Sequence, residues 1–303
     1  MYTIKFDNFT WIDLKNPQAT DAAWLQSQFK LHPLVLKELL PPLDHPKIEN
    51  FGDYLSLVIF YPFFDKRSYC TLPLELDIII GKDFIITSHY QDIVPLKAIF
   101  DQCNLYEEVR QECSKTGSVE ILYRVLREIM LACFPKLNHI KKNIEGIEEL
   151  IYQGSYQKAV SQISLVRRDI IGFQKIMEPQ YLVFKNLAQE AENAFSKDLI
   201  PYFHSLLNLY DQAKNMLEMN DRTLSSLDST NQSLLSTRTN EIIKWLTILS
   251  VIVYPFTLVS DILSMNGQYL GWSASPETFW PIFSSMVLGS ILIFIFFRHK
   301  KWV

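Results

Sequence analysis

Residues 242–266, IIKWLTILSVIVYPFTLVSDILSMN, constrain the rest of the chain more than any other stretch. No charge falls between 245 and 260. Residues 242–263 are long enough to cross a bilayer core, which takes about 20 mostly apolar residues. The run is not uniformly apolar. Its polar side chains are Thr247, Ser250, Tyr254, Thr257, Ser260, Asp261 and Ser264, and without Ser260 the steps between them are 3, 4, 3, 4 and 3. On a helix that spacing keeps six polar groups in one stripe. A spanning helix with one hydrophilic stripe must turn it toward other helices or toward water, because lipid cannot satisfy it. Several copies turned inward would enclose a polar path. A single Ser or Thr in such a helix is ordinarily bonded to its own backbone or packed on a neighbour, and Tyr254 by itself could be core filler. Taken together and ending in the carboxylate of Asp261, the stripe points to a lined path.

A second uncharged run covers residues 279–297 and ends in Arg298, His299, Lys300 and Lys301. Basic residues beside a span favour the cytoplasmic side, whereas residues 266–278 contain no Lys or Arg and are expected outside. Both termini and the large amino-terminal part are then cytoplasmic. Trp245 and Trp302 on one side, with Tyr269, Trp272 and Trp280 on the other, suit the two interfacial belts.

Ahead of the spans the chain changes character twice. Residues 1–110 read as α/β: Tyr2, Ile4 and Phe6 alternate with polar residues, WIDL follows at 11–14, and YLSLVIFY, LELDIII and FIIT are strand-like runs. Gly81, Lys82 and Asp83 read as the turn before Phe84, and Pro33 as the start of a short helix stopped by Pro41 and Pro42. From about 118 the pattern turns helical in stretches 118–153, 155–190 and 197–241, with Pro135 expected to kink the first and the Pro179–Pro201 region to punctuate the later ones. The third stretch has no Pro or Gly from 202 to 254, so one helix from 202 to 263 would be roughly 90 Å long. The expected class is α+β: a cytoplasmic α/β domain (1–115), long stalk helices (116–241) and two transmembrane helices (242–303, spans 242–263 and 279–297 around an outer loop 264–278).

Several function classes find no support. A net charge of −4 argues against a nucleic-acid partner. Cys70, Cys103, Cys113 and Cys133 form no CxxC pair, and His32, His45, His89, His139 and His204 suggest no ligand cluster. No phosphate-binding loop, acid pair or nucleophile–base set marks an enzyme, and no cofactor is implied. Acids such as Glu145, Glu148, Glu149, Glu190, Glu192, Glu218 and Asp228 read mostly as a solvated face.

The carboxyl-terminal motifs resemble the CorA family of divalent-cation channels. Asn240, Lys244, Leu246, Thr247, Pro255 and Thr257 follow its N-x-x-x-K-x-LT…P-x-T pattern, and Met265 and Asn266 match the end of its Gly-Met-Asn signature. WIDL, HPLVLKELL, PKIENFGDYL, LELDIII, FIIT and the arginines at 167 and 168 are similar to successive motifs of its amino-terminal part. The resemblance implies a homopentamer in the cell membrane. An entrance filter at Ser264, Met265 and Asn266 would lead to a path lined by Leu246, Ser250, Tyr254, Thr257 and Asp261. Asn266 and Asp261 would hold a hydrated cation. Magnesium is the implied cargo and a possible regulatory ion, since it dehydrates reluctantly and prefers oxygen; the membrane potential would drive its uptake. Ser264 replaces the signature glycine, and Ser205 stands near where relatives carry a stalk acid. Asp261 stands where relatives usually carry a small uncharged residue. Two alternatives follow: a zinc, cobalt or nickel transporter of the same family, or a membrane scaffold or sensor that does not conduct. With no Cys or His on the stripe, the oxygen-only chemistry tilts toward magnesium.

Overall fold

In the computed structural model, residues 1–40, 42–194, 200–264 and 276–300 are described. They divide into two compact units, Met1–Asp228 and Ser229–Val303. The first opens with strands β1 (Tyr2–Lys5) and β2 (Thr10–Lys15), helices α1 (Ala19–Phe29) and α2 (Pro33–Glu38), then β3 (Lys47–Asn50), β4 (Tyr54–Asp65), β5 (Cys70–Gly81) and β6 (Phe84–His89). Helices follow: α3 (Val94–Leu105), α4 (Glu107–Thr116), α5 (Ser118–Leu131), α6 (Cys133–Tyr152), α7 (Tyr156–Ala194), α8 (Ile200–Ser264) and α9 (Pro276–His299).

The strands form one mixed sheet in the order β1-β2-β6-β5-β4-β3, antiparallel throughout except for the parallel pair β2 and β6. Because side chains alternate between faces, the apolar runs of β4 and β5 fill two cores. Trp11, Leu57, Leu76, Ile78 and Ile85 join the large core shared with the later helices, while Ile12, Leu14, Ile79 and Ile86 pack with Leu25, Val35 and Leu36 of α1 and α2. The large core runs from Ile4 to Leu224, so the sheet and the long helices of this unit are packed as one body across residue 115. His32 is structural, as its position before Pro33 suggests: its Nδ1 accepts from the Leu34 amide at 3.2 Å, and its own amide donates to the Tyr54 hydroxyl at 2.8 Å.

The helical stretches are interrupted where the prolines lead one to expect: just ahead of Pro135, and inside the Pro179–Pro201 region, where α7 ends at Ala194 and α8 starts at Ile200. The first helical stretch breaks between Leu131 and Cys133, ahead of Pro135, because a proline ring clashes with the carbonyl four residues earlier, here that of Leu131. Pro179 lies inside α7 without ending it. Side chains help to satisfy the carbonyls around it: Gln180 Nε2 donates to Ile176 O at 2.9 Å and Tyr210 Oη donates to Met177 O at 2.7 Å. Gln180 also completes the sheet. β3 covers β4 only as far as Val58, and beyond it Gln180 Oε1 accepts from the Phe60 amide while its Nε2 donates to the Phe60 carbonyl, both at 2.9 Å. A buried side-chain amide thus stands in for the missing strand.

Two of the acids read as solvated tie separate elements together. Asp228 Oδ2 accepts from Arg167 at 3.1 Å, tying α7 to α8, and Glu190 Oε2 accepts from Asn50 at 2.7 Å. A further tie joins α6 and α8, where Asn220 donates to the Leu137 carbonyl at 3.1 Å.

Candidate functional site

The site is the carboxyl-terminal part of α8. α8 and α9 each hold an apolar stretch long enough to cross a membrane, and both stretches lie almost wholly exposed in the isolated chain. Along α8 the covered positions are Lys244, Ile248, Ile252, Phe256 and Val259, spaced at four, four, four and three residues. Ile248 is 3% exposed. On the other side of the helix Leu246, Ser250, Tyr254, Thr257, Asp261 and Ser264 are all exposed, with Tyr254 at 68%. With 3.6 residues per turn the two sets lie nearly half a turn apart. The few covered positions thus lie opposite the polar stripe, while Trp245, Leu249, Val253 and Leu258 are exposed along with it. Met265 and Asn266 lie outside the described residues.

The Ser and Thr hydroxyls of the stripe all bond their own helix, three or four residues back. Thr247 donates to Ile243 O, Ser250 to Leu246 O, Thr257 to Tyr254 O and Ser264 to Ser260 O, each at 2.8 Å. This is the local back-bonding expected of single Ser and Thr residues in a helix. It has a chemical consequence for the stripe. Each proton is committed to the backbone, so each oxygen presents its lone pairs outward as an acceptor. Asp261 adds an acceptor-only carboxylate when ionised. The face therefore offers these acceptors together with the Tyr254 hydroxyl, which can also donate, and carries no cation. Sequence spacing alone places these residues on one face, but it does not say where their protons point.

α9 has a different surface. Ile282, Met286, Gly289, Ser290, Ile293 and Phe297 form its partly covered side, whereas Leu288, Leu292, Ile295 and Phe296 are 54–63% exposed and wholly apolar. Such a surface suits lipid and lines no ion path. Among the described residues no group of three or more His, Cys, Asp or Glu side chains is arranged to hold a metal ion. The amino-terminal unit instead uses its buried polar groups to hold the sheet. Trp11 Nε1 donates to Thr87 Oγ1 at 3.1 Å, and Thr87 donates to Asp13 at 2.6 Å. His89 Nε2 lies 3.4 Å from the other Asp13 oxygen. Burial opposes the charge on His89, but Asp13 and the Gln91 carbonyl outweigh it and raise its pKa.

An α+β amino-terminal unit followed by two membrane-compatible helices, the first with an exposed polar stripe, is the architecture of a membrane transport protein. The chain belongs to the family described as CorA-like Mg2+ transporter protein, which matches residues 6–299. It is 24% identical over 303 residues to the cobalt/magnesium transport protein CorA of Thermotoga maritima, covering 97% of this chain and 83% of that protein. Its fold is similar to the complete structure of the CorA magnesium transporter from Methanocaldococcus jannaschii, with a TM-score of 0.81 at 22% identity, over 99% of this chain and 94% of that one. The full-length CmaX protein is similar at a TM-score of 0.73 and 16% identity, over 96% of this chain and 88% of that one.

Proposed function

We propose that this protein is a channel-like pathway for hydrated divalent cations, magnesium foremost, formed where several copies bring their α8 stripes together. The observation that carries the reading is the exposed polar stripe on α8, rich in hydrogen-bond acceptors and opposite the few positions the chain covers. A hydrated cation shows the outside world the hydrogens of its inner water shell. A wall of acceptors whose own protons are turned away can hold that shell without stripping it. This suits magnesium, which keeps its waters. In an assembly of five, the number implied by the family, Asp261 would form a ring of carboxylates that concentrates divalent over monovalent cations. Thr257, Ser250 and Tyr254 would carry the ion inward past Leu246, and Asn266 would offer amide oxygens at the outer mouth.

The basic residues from Arg298 to Lys301 favour an orientation with both termini and the amino-terminal unit in the cytoplasm of a cell whose plasma membrane holds the protein. The membrane potential would then drive uptake, at about 4.6 kcal/mol per 100 mV for a doubly charged ion. A second reading, cobalt transport, is favoured by the Thermotoga relative's description as a cobalt/magnesium transport protein. The deciding measurement is flux into liposomes containing the purified protein under an imposed voltage, with magnesium, cobalt, zinc and nickel tested in turn. Voltage-following magnesium uptake is expected, and Asn266→Ala should lower it by roughly tenfold or more, equivalent to about 1.4 kcal/mol. Flux of cobalt or zinc without magnesium would reassign the cargo. Silence for every ion from an intact oligomer would sink the conducting role.

A further inference from the structure

We propose that Glu75 and Asp77 form a proton-binding site inside the amino-terminal unit, a pair that holds one shared proton at neutral pH. Both belong to β5 and, two residues apart, point to the same face of the sheet. They are buried, at 8% and 5% exposure. Glu75 Oε1 accepts from the Leu43 amide at 2.8 Å, but Glu75 Oε2 and both oxygens of Asp77 have no partner. The register sets Asp77 opposite Ser88, which is completely buried and whose hydroxyl is also unpartnered. Three carboxylate oxygens and a hydroxyl are thus enclosed together with too few donors. The two carboxyls are within reach of a mutual hydrogen bond, which forms only if one of them carries a proton.

The surroundings favour that proton over a second negative charge. On the same row Lys47 of β3 lies beyond Val58 from Asp77, but its ammonium already bonds Glu38 of α2 and Glu49 of β3. With Glu75 and Asp77 both ionised, four carboxylates would face one ammonium. From β6 the neighbours are Ser88 and then Tyr90, whose hydroxyl donates to Leu39 O at 2.7 Å. His89 and Asp13 point to the opposite face and cannot help. Burial raises the pKa of Asp77 well above the usual carboxylate range and the adjacent Glu75 adds to it, while burial also raises Glu75. Like charges in one dry site cannot both ionise, so the pair titrates as a unit.

The proton-bound pair leaves a signature in stability. An acid whose pKa is raised on folding binds its proton more tightly when folded. Its stabilisation is therefore complete below the ordinary carboxylate pKa and is lost as pH rises to the folded value. Within that window the unfolding constant rises tenfold per pH unit, a midpoint shift of roughly 2–4 °C. The test compares full-length wild type with Asp77→Asn in detergent from pH 5 to 8. His89, Lys136 and Asp169 contribute equally to both proteins and cancel in the difference. The amide introduced by Asp77→Asn can donate to Glu75 without needing a bound proton, so the variant should lose this descending limb and overtake wild type toward pH 8. Infrared spectra should show a protonated carboxylic acid in wild type at pH 7 that disappears in Asp77→Asn. Parallel pH profiles would overturn the proposal. So would a neutral-pH wild-type spectrum with no protonated carboxyl, or a band that vanishes in Asp169→Asn but survives Asp77→Asn; these readings stand even if one variant folds poorly.

Discussion

The two units treat their polar groups in opposite ways. In Met1–Asp228 many buried polar side chains are matched within the chain, Gln180 to the β4 backbone, Asn220 to Leu137, Thr71 to Asp169 and Thr87 to Asp13, with Glu75, Asp77 and Ser88 the group left short of partners. In the spanning part of α8 the hydroxyls bond only their own helix, and the stripe they form meets nothing. Burial without a partner is costly, so a unit that matches its groups internally can be complete as a single copy. A membrane face that does not match them is incomplete until water, an ion or another copy arrives. Matched groups hold the fold, and the unmatched ones, along α8 and at Glu75 and Asp77, are where the two proposals fall.

That contrast can be broken at both ends. The largest expected effect is Gln180→Leu, which orphans the buried amide and carbonyl of Phe60; stability measured by denaturant titration should fall by about 2–5 kcal/mol, and a change below about 1 kcal/mol would show that the amide does not act as a surrogate strand. Gly172→Ala comes next. A Cβ there would meet Thr71 O at 2.6 Å, a backbone atom beside the Thr71–Asp169 bond, so α7 must shift from the sheet at about 1–3 kcal/mol by the same measurement. In the spanning unit the effect should appear in transport and leave stability alone. Asp261→Asn is expected to alter flux or divalent block by about three- to tenfold, or ~0.7–1.4 kcal/mol; superimposable currents across a magnesium titration would make Asp261 an edge acid only. The smallest concerns His89. Its raised pKa means that its bond to Asp13 stabilises fully below the unfolded value near 6.5 and fades as pH rises through the folded value. His89→Gln should therefore cost about 1 kcal/mol at pH 6 and less at pH 9; an equal cost at both would show that the charge is not what matters.

Much of this is legible in the sequence because it depends on period. The spans follow from length and lack of charge, the strands at 54–61 and 74–80 from β-branched runs, and the α8 stripe from its steps of three and four. What escapes depends on long-range pairing or on weak local signals. β3 is the four residues KIEN, too short and polar to announce a strand, and it exists because β4 offers an edge. α4, EEVRQECSKT, buries little beyond Cys113 and Ser114 and reads as solvent-exposed. Nothing local couples β2 to β6, seventy-odd residues on. Proline gives only a rule of exclusion, so Pro135 reads as the kink itself and Pro179 as punctuation. The structure interrupts the first helix just ahead of Pro135 and carries α7 through Pro179 to Ala194, with Gln180 and Tyr210 bonding the neighbouring carbonyls of Ile176 and Met177. The acceptor direction of the stripe hydroxyls is likewise a matter of rotamers, which composition does not encode.

The way β4 ends has a further meaning for how this chain survives its own synthesis. YLSLVIFYPFF is the kind of segment that recruits a matching strand from a neighbour and seeds insoluble aggregates. Past β3, the outward backbone groups of this strand are those of Phe60, Pro62 and, at its end, Phe64. Gln180 occupies both groups of Phe60, Pro62 has no amide hydrogen to give, and its carbonyl accepts from Lys136 Nζ. Lys136 also places its ammonium 3.6 Å above the Tyr61 ring. At Phe60 and Pro62 a neighbouring chain arriving in register would find no free donor, no free acceptor and a cation in the way. Copies crowded together on a membrane are thus kept from joining along this edge by three side chains.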